Sequence, residues 1–169
     1  MGIMNAYYTY VHGKRKEDDI AVRKRIVSEI QKSRNNIINM LEESTLSKQK
    51  EAAIVNVSSG LGFVPMAWFP VYCATKAAVH SFSLSLRHQL RNTSVKIFEI
   101  IPPMVDTELD KGARGGRGQQ NRGIPPAEVA VATLKALENN EYEVAVGMAD
   151  SLRMGARNNP EETFQNMNQ

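Results

Sequence analysis

Three side chains in the middle of the chain have the types and the spacing that proton transfer needs. Ser59 follows a short apolar segment, and Tyr72 and Lys76 lie four residues apart further along. A phenol is a poor acid or base at neutral pH, because its ordinary pKa is about 10. A nearby ammonium favours the phenolate form, and a serine hydroxyl can donate a hydrogen bond to a carbonyl oxygen. Such a set suits carbonyl reduction or alcohol oxidation.

The neighbouring segments predict how these side chains are positioned. Residues 53–57 are apolar and β-branched, and Ser58-Ser59-Gly60 ends the run, which is typical of a strand in a covered parallel sheet. Ser59 would then stand at the carboxyl edge of the sheet, where open α/β sheets bind ligands. A helix is predicted over about Val71–Arg91, because no glycine or proline interrupts that range. Tyr72 and Lys76 would share one face of its first turns.

The Tyr-x-x-x-Lys pattern is a weak signal by itself, since a partly buried tyrosine beside a lysine whose stem covers apolar surface gives the same spacing. Its context is much more specific. The segments Asn56–Gly62, Tyr72–Ala78 and Ile100–Thr107, together with the interval from Ser59 to Tyr72, closely resemble the short-chain dehydrogenase/reductase family. The sequence of these segments is most similar to the DltE-type bacterial members. The resemblance covers Ala52 to about Ala149, the carboxyl-terminal half of a family member.

The resemblance implies a role for each of these residues. Ser59 would polarise the substrate carbonyl, Tyr72 would be the acid/base, and Lys76 would activate Tyr72 and hold the nicotinamide ribose of NAD or NADP. The residues that it assigns to cofactor binding are Tyr72, Lys76, Pro102, Val105 and Thr107. The family usually has Pro-Gly where this chain has Pro102-Pro103. Because glycine allows close approach and proline fixes φ, this departure weakens the expected cofactor contact.

One part of the family pattern does not occur before Ser59. No Gly-x-x-x-Gly-x-Gly precedes it, and the only glycines there are Gly2 and Gly13. In the family such a turn brings the backbone close to the cofactor pyrophosphate at a helix N-terminus. The sequence therefore makes cofactor binding by this chain doubtful. The polar residues Gln31, Asn35, Asn36 and Asn39 are interpreted as an ordinary helix surface.

The first 47 residues do not resemble the family in sequence and predict a helix. Asp18 or Asp19 would cap a helix from about Ile20 to Glu43. Its apolar stripe, interpreted as core or oligomer seam, consists of Ile26, Ile30, Ile37, Ile38 and Leu41. The aromatic cluster Tyr7, Tyr8 and Tyr10 is interpreted as packing.

The segments after Tyr72 predict two further strands and a helix. The strands are expected at Val95–Ile101 and Tyr142–Val146, and Pro125-Pro126 opens a helix to about Asn139. The Gly/Arg loop 112–123 is interpreted first as a mobile lid over the substrate, next as a plain flexible loop. An RGG-type nucleic-acid segment is the least favoured interpretation. Residues 153–169 are polar and expected to fray.

Composition narrows the class of protein. The chain has 169 residues, a net charge of +3 and a pI near 9.0, too mildly basic to indicate nucleic acid. The single cysteine, Cys73, excludes an intrachain disulfide and is interpreted as packing. His12, His80 and His88 show no metal-ligand spacing, so no metal site is predicted. No apolar run is long enough to span a membrane, and with no secretory leader the expected location is the cytoplasm.

The resulting prediction is an α/β fold: a truncated Rossmann-like domain with a three-stranded parallel sheet, flanking helices and an added N-terminal helix. The expected segments are 1–47, a family-like half-domain at 48–150, and a polar tail at 151–169. The predicted function is NAD(P)-dependent oxidation or reduction of a small carbonyl or alcohol substrate. The alternative is a non-catalytic remnant that serves as a binding or oligomerisation module.

A homo-oligomer is also expected. The resemblance implies dimer contacts through the helix that carries Tyr72, and the residues assigned to its apolar face are Val79, Phe82, Leu86 and Leu90. A small domain would otherwise expose that face. The Ala53 strand would also present an open edge, to be covered by the N-terminal segment, a second copy or another partner.

Overall fold

The computed structural model describes residues 25, 27–29, 31–32, 35–36, 39, 45–107, 109 and 123–169. The chain divides into two compact units, Met1–Lys50 and Glu51–Gln169. In the first unit, the described residues between 25 and 39 are helical, as expected, and a short 3-10 helix spans Thr45–Lys48. Within the described ranges, no helix combines the length and the apolar character that crossing a membrane requires.

The second unit is built on a parallel sheet of three strands. These are β1 (Ala52–Val57), β2 (Val95–Ile101) and β3 (Glu143–Ala145), in the order β1-β2-β3. The central strand β2 is almost wholly buried, which explains its nearly continuous apolar sequence. Alternate residues of the edge strand β1 are exposed, because successive side chains point to opposite faces of the sheet and one face of β1 is open to solvent. The predicted α/β fold with three parallel strands is confirmed, with β3 shorter than expected.

The described part of this unit has four α-helices beside the sheet: α1 (Pro70–Gln89), α2 (Pro126–Asn139), α3 (Met148–Asn158) and α4 (Pro160–Met167). A 3-10 helix at Gly60–Gly62 follows β1. Proline opens three of the helices at a position where its missing N–H costs nothing. The bounds of α1 and α2 agree with the sequence to within two residues.

The predicted apolar face of α1 is partly wrong. Leu86 and Leu90 are buried in the core, so they do not belong to an exposed face. Val79 is half-buried, whereas Phe82 is 44% exposed. The helical spacing of the four residues could not distinguish the side of α1 that faces β2 from the side that faces outward.

The expectation that residues 153–169 fray is wrong. Most of this range lies in α3 and α4, and Ala149, one turn before it in α3, is fully buried. The side chain of Asn168 accepts from the backbone N–H of Ala67 at 2.6 Å and donates to the carbonyl oxygen of Pro65 at 3.1 Å. Polar side chains here anchor the end of the chain to the loop before α1, which a reading of polarity alone could not show.

Several interpretations lie outside the described residues. These are the tyrosine cluster 7–10, the cap at Asp18 or Asp19, the apolar stripe and the lid over 112–122. The side chains of Gln31, Asn35, Asn36 and Asn39 are exposed on helix, in agreement with a plain helix surface.

Candidate active site

Ser59 lies in a buried turn at the carboxyl end of β1. The N–H of Ser58 continues the ladder to the carbonyl of Ile100 at 3.0 Å, and the chain then turns into the 3-10 helix. Ser59 is only 6% exposed, and its Oγ accepts a hydrogen bond from the N–H of Leu61 at 3.2 Å. That contact uses an oxygen lone pair, so the hydroxyl proton can still be donated to a substrate oxygen.

Two glycines fix this turn between α1 and α3. A Cβ on Gly62 would lie 3.0 Å from the backbone carbon of Lys76, and a Cβ on Gly60 would lie 3.2 Å from the Cα of Ala149. The serine turn therefore packs directly against the backbones of both helices. The sequence analysis used these glycines only as the end of the strand and as part of the family-like segment Asn56–Gly62, although Gly-x-Gly after a strand can signal a close backbone approach.

Tyr72 and Lys76 come from the first two turns of α1. The Nζ of Lys76 donates to the carbonyl oxygen of Val57, the last residue of β1, at 2.9 Å. The same ammonium lies 5.7 Å from the centroid of the Tyr72 ring, within the range of a cation–π contact. Tyr72 is 36% exposed, so a substrate can reach it from solvent. The structure thus brings Lys76 against Tyr72 on one side and against the end of β1 on the other.

Cys73, next to Tyr72, has a packing role. It is 2% exposed, and its Sγ accepts from the N–H of Met66 at 3.3 Å. This contact ties the loop between the serine turn and α1 to the helix. It agrees with the sequence interpretation of Cys73.

The predicted cofactor-binding segment starts at the same edge of the sheet. The carbonyl oxygen of Pro102 accepts from the N–H of Gly60 at 3.2 Å, which joins the segment to the serine turn. Val105 instead forms a parallel bridge with Ile124, and Thr107 is exposed. The structure therefore places Ser59, Lys76 and Pro102 at the ends of β1 and β2, and it places Val105 and Thr107 in the segment that follows Pro102.

Gly123 holds that next segment in place, which the sequence did not reveal. Its φ of +82° is unfavourable for other residues, and a Cβ would clash with the carbonyl group of Met104. The N–H of Ile124 donates to Met104 O at 3.0 Å, and the N–H of Asp106 donates to Ile124 O at 2.9 Å. Only glycine at 123 lets the returning chain approach residues 104–106 so closely.

Known proteins resemble this chain in sequence and in fold. The model of the short chain dehydrogenase family matches residues 16–117. The match begins well before Ser47, so the expectation that residues 1–47 do not resemble the family is wrong for residues 16–47. A family model can match a segment that contains no recognisable motif.

Individual relatives agree with the family model. The chain is 50% identical over 123 residues to the uncharacterized oxidoreductase DltE of Bacillus subtilis, covering 73% of this chain and 49% of that protein. It is 38% identical over 92 residues to an uncharacterized oxidoreductase of Staphylococcus epidermidis, covering 54% of this chain and 39% of the relative. The chain therefore spans about half the length, or less, of the curated relatives that it matches.

A solved structure shows the same fold. The short chain dehydrogenase of Burkholderia cenocepacia, determined in complex with NADP, superimposes with a TM-score of 0.63 and 26% identity, covering 72% of this chain and 50% of the other. The family model spans the serine turn and the helix that carries Tyr72 and Lys76. The solved structure has the same α/β fold. The chain belongs to the short chain dehydrogenase family.

Proposed function

We propose that this chain carries the catalytic half of an NAD(P)-dependent oxidoreductase that reduces a small carbonyl compound or oxidises the corresponding alcohol. The observation that carries the proposal is the position of Lys76. Its ammonium is held at the end of β1 by Val57 and lies against the ring of Tyr72. Ser59 is buried in the turn that follows the same strand.

These three residues can supply the proton that a carbonyl reduction needs at the substrate oxygen. In the reductive direction the hydroxyl of Ser59 donates a hydrogen bond to the substrate carbonyl oxygen, and Tyr72 transfers its proton to that oxygen. Lys76 stabilises the phenolate that remains. A bound nicotinamide cofactor would supply the hydride to the carbonyl carbon, and both transfers reverse during alcohol oxidation.

The residues at this edge fit the nicotinamide end of such a cofactor. Two contacts support the fit. The ammonium of Lys76, which can donate to ribose hydroxyls, is held at the end of β1. The N–H of Gly60 donates to the carbonyl oxygen of Pro102 and so joins the serine turn to the segment after β2. The relative from Burkholderia cenocepacia was solved with NADP. The glycine-rich turn that would receive the cofactor pyrophosphate does not occur before Ser59 in this sequence. We therefore propose that cofactor binding by the 169-residue chain is weak.

The direct test of the proposed function is turnover at high cofactor concentration. A panel of aldehydes and ketones would be incubated with the chain and millimolar NADPH or NADH, and loss of nicotinamide absorbance would be followed. The expected result is slow, enzyme-dependent turnover of at least one carbonyl compound. A cooperatively folded sample that turns over nothing in the panel would favour the non-catalytic binding module.

Cofactor titration provides a separate prediction. Fluorescence or calorimetric titration with NADH and NADPH should show no saturation at micromolar concentrations, because no Gly-x-x-x-Gly-x-Gly turn precedes Ser59 to receive the pyrophosphate. Tight saturable binding would contradict this and would mean that other residues, or a partner, supply that contact.

Self-association is the remaining part of the proposal. Val55 and Val57 on β1 are 36% and 50% exposed, and Phe82 on α1 is 44% exposed. Apolar side chains on an edge strand and on an adjacent helix favour burial against a second copy. Sedimentation velocity at tens of micromolar should show a dimer or larger species. A monomer throughout that range would rule out self-association.

A further inference from the structure

A buried carboxylate on the central strand has an incomplete set of partners. Glu99 is fully buried in β2. Its Oε2 lies 2.9 Å from the Nδ1 of His80 on α1, whereas its Oε1 has no hydrogen-bond partner among the described residues. A carboxylate shielded from water in this way is costly unless a positive group balances it. The partner that it has, His80, is charged only when protonated.

The register of the sheet places a second carboxylate beside the first. Glu99 of β2 is paired with Glu143 of β3, so the two side chains project from the same face of adjacent strands. Like charges directly opposite each other destabilise a sheet. Glu143 is also mostly buried, with a side chain that is 17% exposed. Two acidic side chains at matched positions in a sheet interior require positive charge between or beside them.

Arginines balance Glu143 from one side. Arg153 on α3 contacts Oε1 of Glu143 at 2.8 Å, and Arg157 lies 3.8 Å from the same oxygen. Hydrogen bonds to Asp150 and then to Glu143 raise the pKa of Arg153 above its ordinary value, so its charge is permanent. Both arginines lie near the same oxygen of Glu143, Oε1. Among the described residues, the ion-pair partner of Glu99 is His80.

We propose that His80, Glu99 and Glu143 form a binding site for one divalent transition metal ion, with zinc as the best match. One ligand atom from each of the three residues lies within 4.8 Å of the other two. Zinc binds imidazole nitrogen and carboxylate oxygen at about 2.0–2.2 Å in tetrahedral geometry, so two ligands of one ion are about 3.4 Å apart. Side-chain movement of about 1.5 Å or less therefore closes the site.

The chemistry of the donors selects the class of ion. An imidazole ligand suits zinc and its neighbours in the transition series, whereas magnesium and calcium prefer oxygen alone. A divalent ion would also neutralise both carboxylates with a neutral imidazole as third ligand. This site is separate from the proposed oxidoreductase residues and does not depend on them.

Metal binding at this position would join three elements of the fold. His80 belongs to α1, Glu99 to β2 and Glu143 to β3, and the ring of His80 also lies 4.5 Å from the ring of Phe63 in the loop after the serine turn. An ion held by all three would bind the folded chain and not the unfolded one. Zinc is therefore expected to raise the melting temperature.

The test is calorimetric titration of the metal-free chain with zinc chloride, together with thermal melts. The expected result is one zinc per chain and an increase in melting temperature that magnesium at the same concentration does not give. His80→Ala and Glu99→Gln should each weaken binding by at least about tenfold. His88→Ala, which removes an exposed histidine from the same helix, should bind zinc as the wild type does.

X-ray absorption at the zinc edge identifies the ligand atoms in the wild-type chain, so this measurement does not depend on whether the variants fold. A shell of nitrogen and oxygen at about 2.0–2.2 Å is expected, with no sulfur. The proposal is overturned if the wild type shows no saturable zinc binding, if folded His80→Ala and Glu99→Gln bind zinc as tightly as His88→Ala, if magnesium stabilises equally, or if sulfur is a ligand.

Discussion

Tyr72→Phe should reduce the turnover of a verified substrate by about a hundredfold to ten-thousandfold, the usual contribution of a general acid–base group. The phenylalanine ring still fills the place of the tyrosine ring beside Lys76, so only the hydroxyl that transfers the proton is lost. The measurement is the steady-state rate at saturating substrate and fixed millimolar cofactor, for wild type and variant side by side.

Tyr142 offers a matched control for this experiment. Its exposure of 39% is close to the 36% of Tyr72, and its ring stacks against Phe98 on the far side of the sheet from β1. Tyr142→Phe should therefore retain wild-type turnover. Far-UV dichroism and melting must agree among the three proteins. Full activity in a folded Tyr72→Phe variant would show that Tyr72 is inherited structure and not the acid/base.

Lys76→Met should lower turnover by about a hundredfold or more. The methionine keeps an apolar stem of similar length but removes the ammonium that bonds to Val57 and faces Tyr72. Without that ammonium, the first turns of α1 lose their hydrogen bond to the end of β1, and Tyr72 loses its neighbouring cation. The steady-state rate at saturating substrate and fixed millimolar cofactor measures the loss.

Lys135→Met is the companion variant, because Lys135 is an exposed lysine on α2. It should leave the rate unchanged. Lys76→Arg retains a positive charge and should lose less activity than Lys76→Met. If folded Lys76→Met turns over substrate as fast as Lys135→Met, the role assigned to Lys76 is refuted.

The parts of the fold that local sequence determines were predictable. Val95–Ile101 forms the central strand with the predicted bounds, because a strand covered on both faces is mostly apolar, here with Lys96 and Glu99 as the exceptions. The helix from Pro70 follows from an uninterrupted run without glycine or proline, and Gly147 ends the β3 segment with a φ of +53°. In each case the signal and its cause lie within a few neighbouring residues.

The prediction of the polar tail failed for a long-range reason. Residues 153–169 have little apolar content, so composition indicated fraying. The contacts that order them are specific polar ones, from Arg153 to Glu143 and from Asn168 to the backbone of Pro65 and Ala67. Partners that lie ten to about a hundred positions away leave no periodic pattern in the sequence.

Sequence alone indicated Ser59, Tyr72 and Lys76 as candidate residues, because the end of a strand and a spacing of four on one helix are local features. Only the tertiary structure decided that Gly60 and Gly62 wedge the serine turn between two helices. It also decided that Glu99 stands beside Glu143 and under His80. The register of parallel strands and the docking of α1 bring these three together, and no local spacing encodes either one.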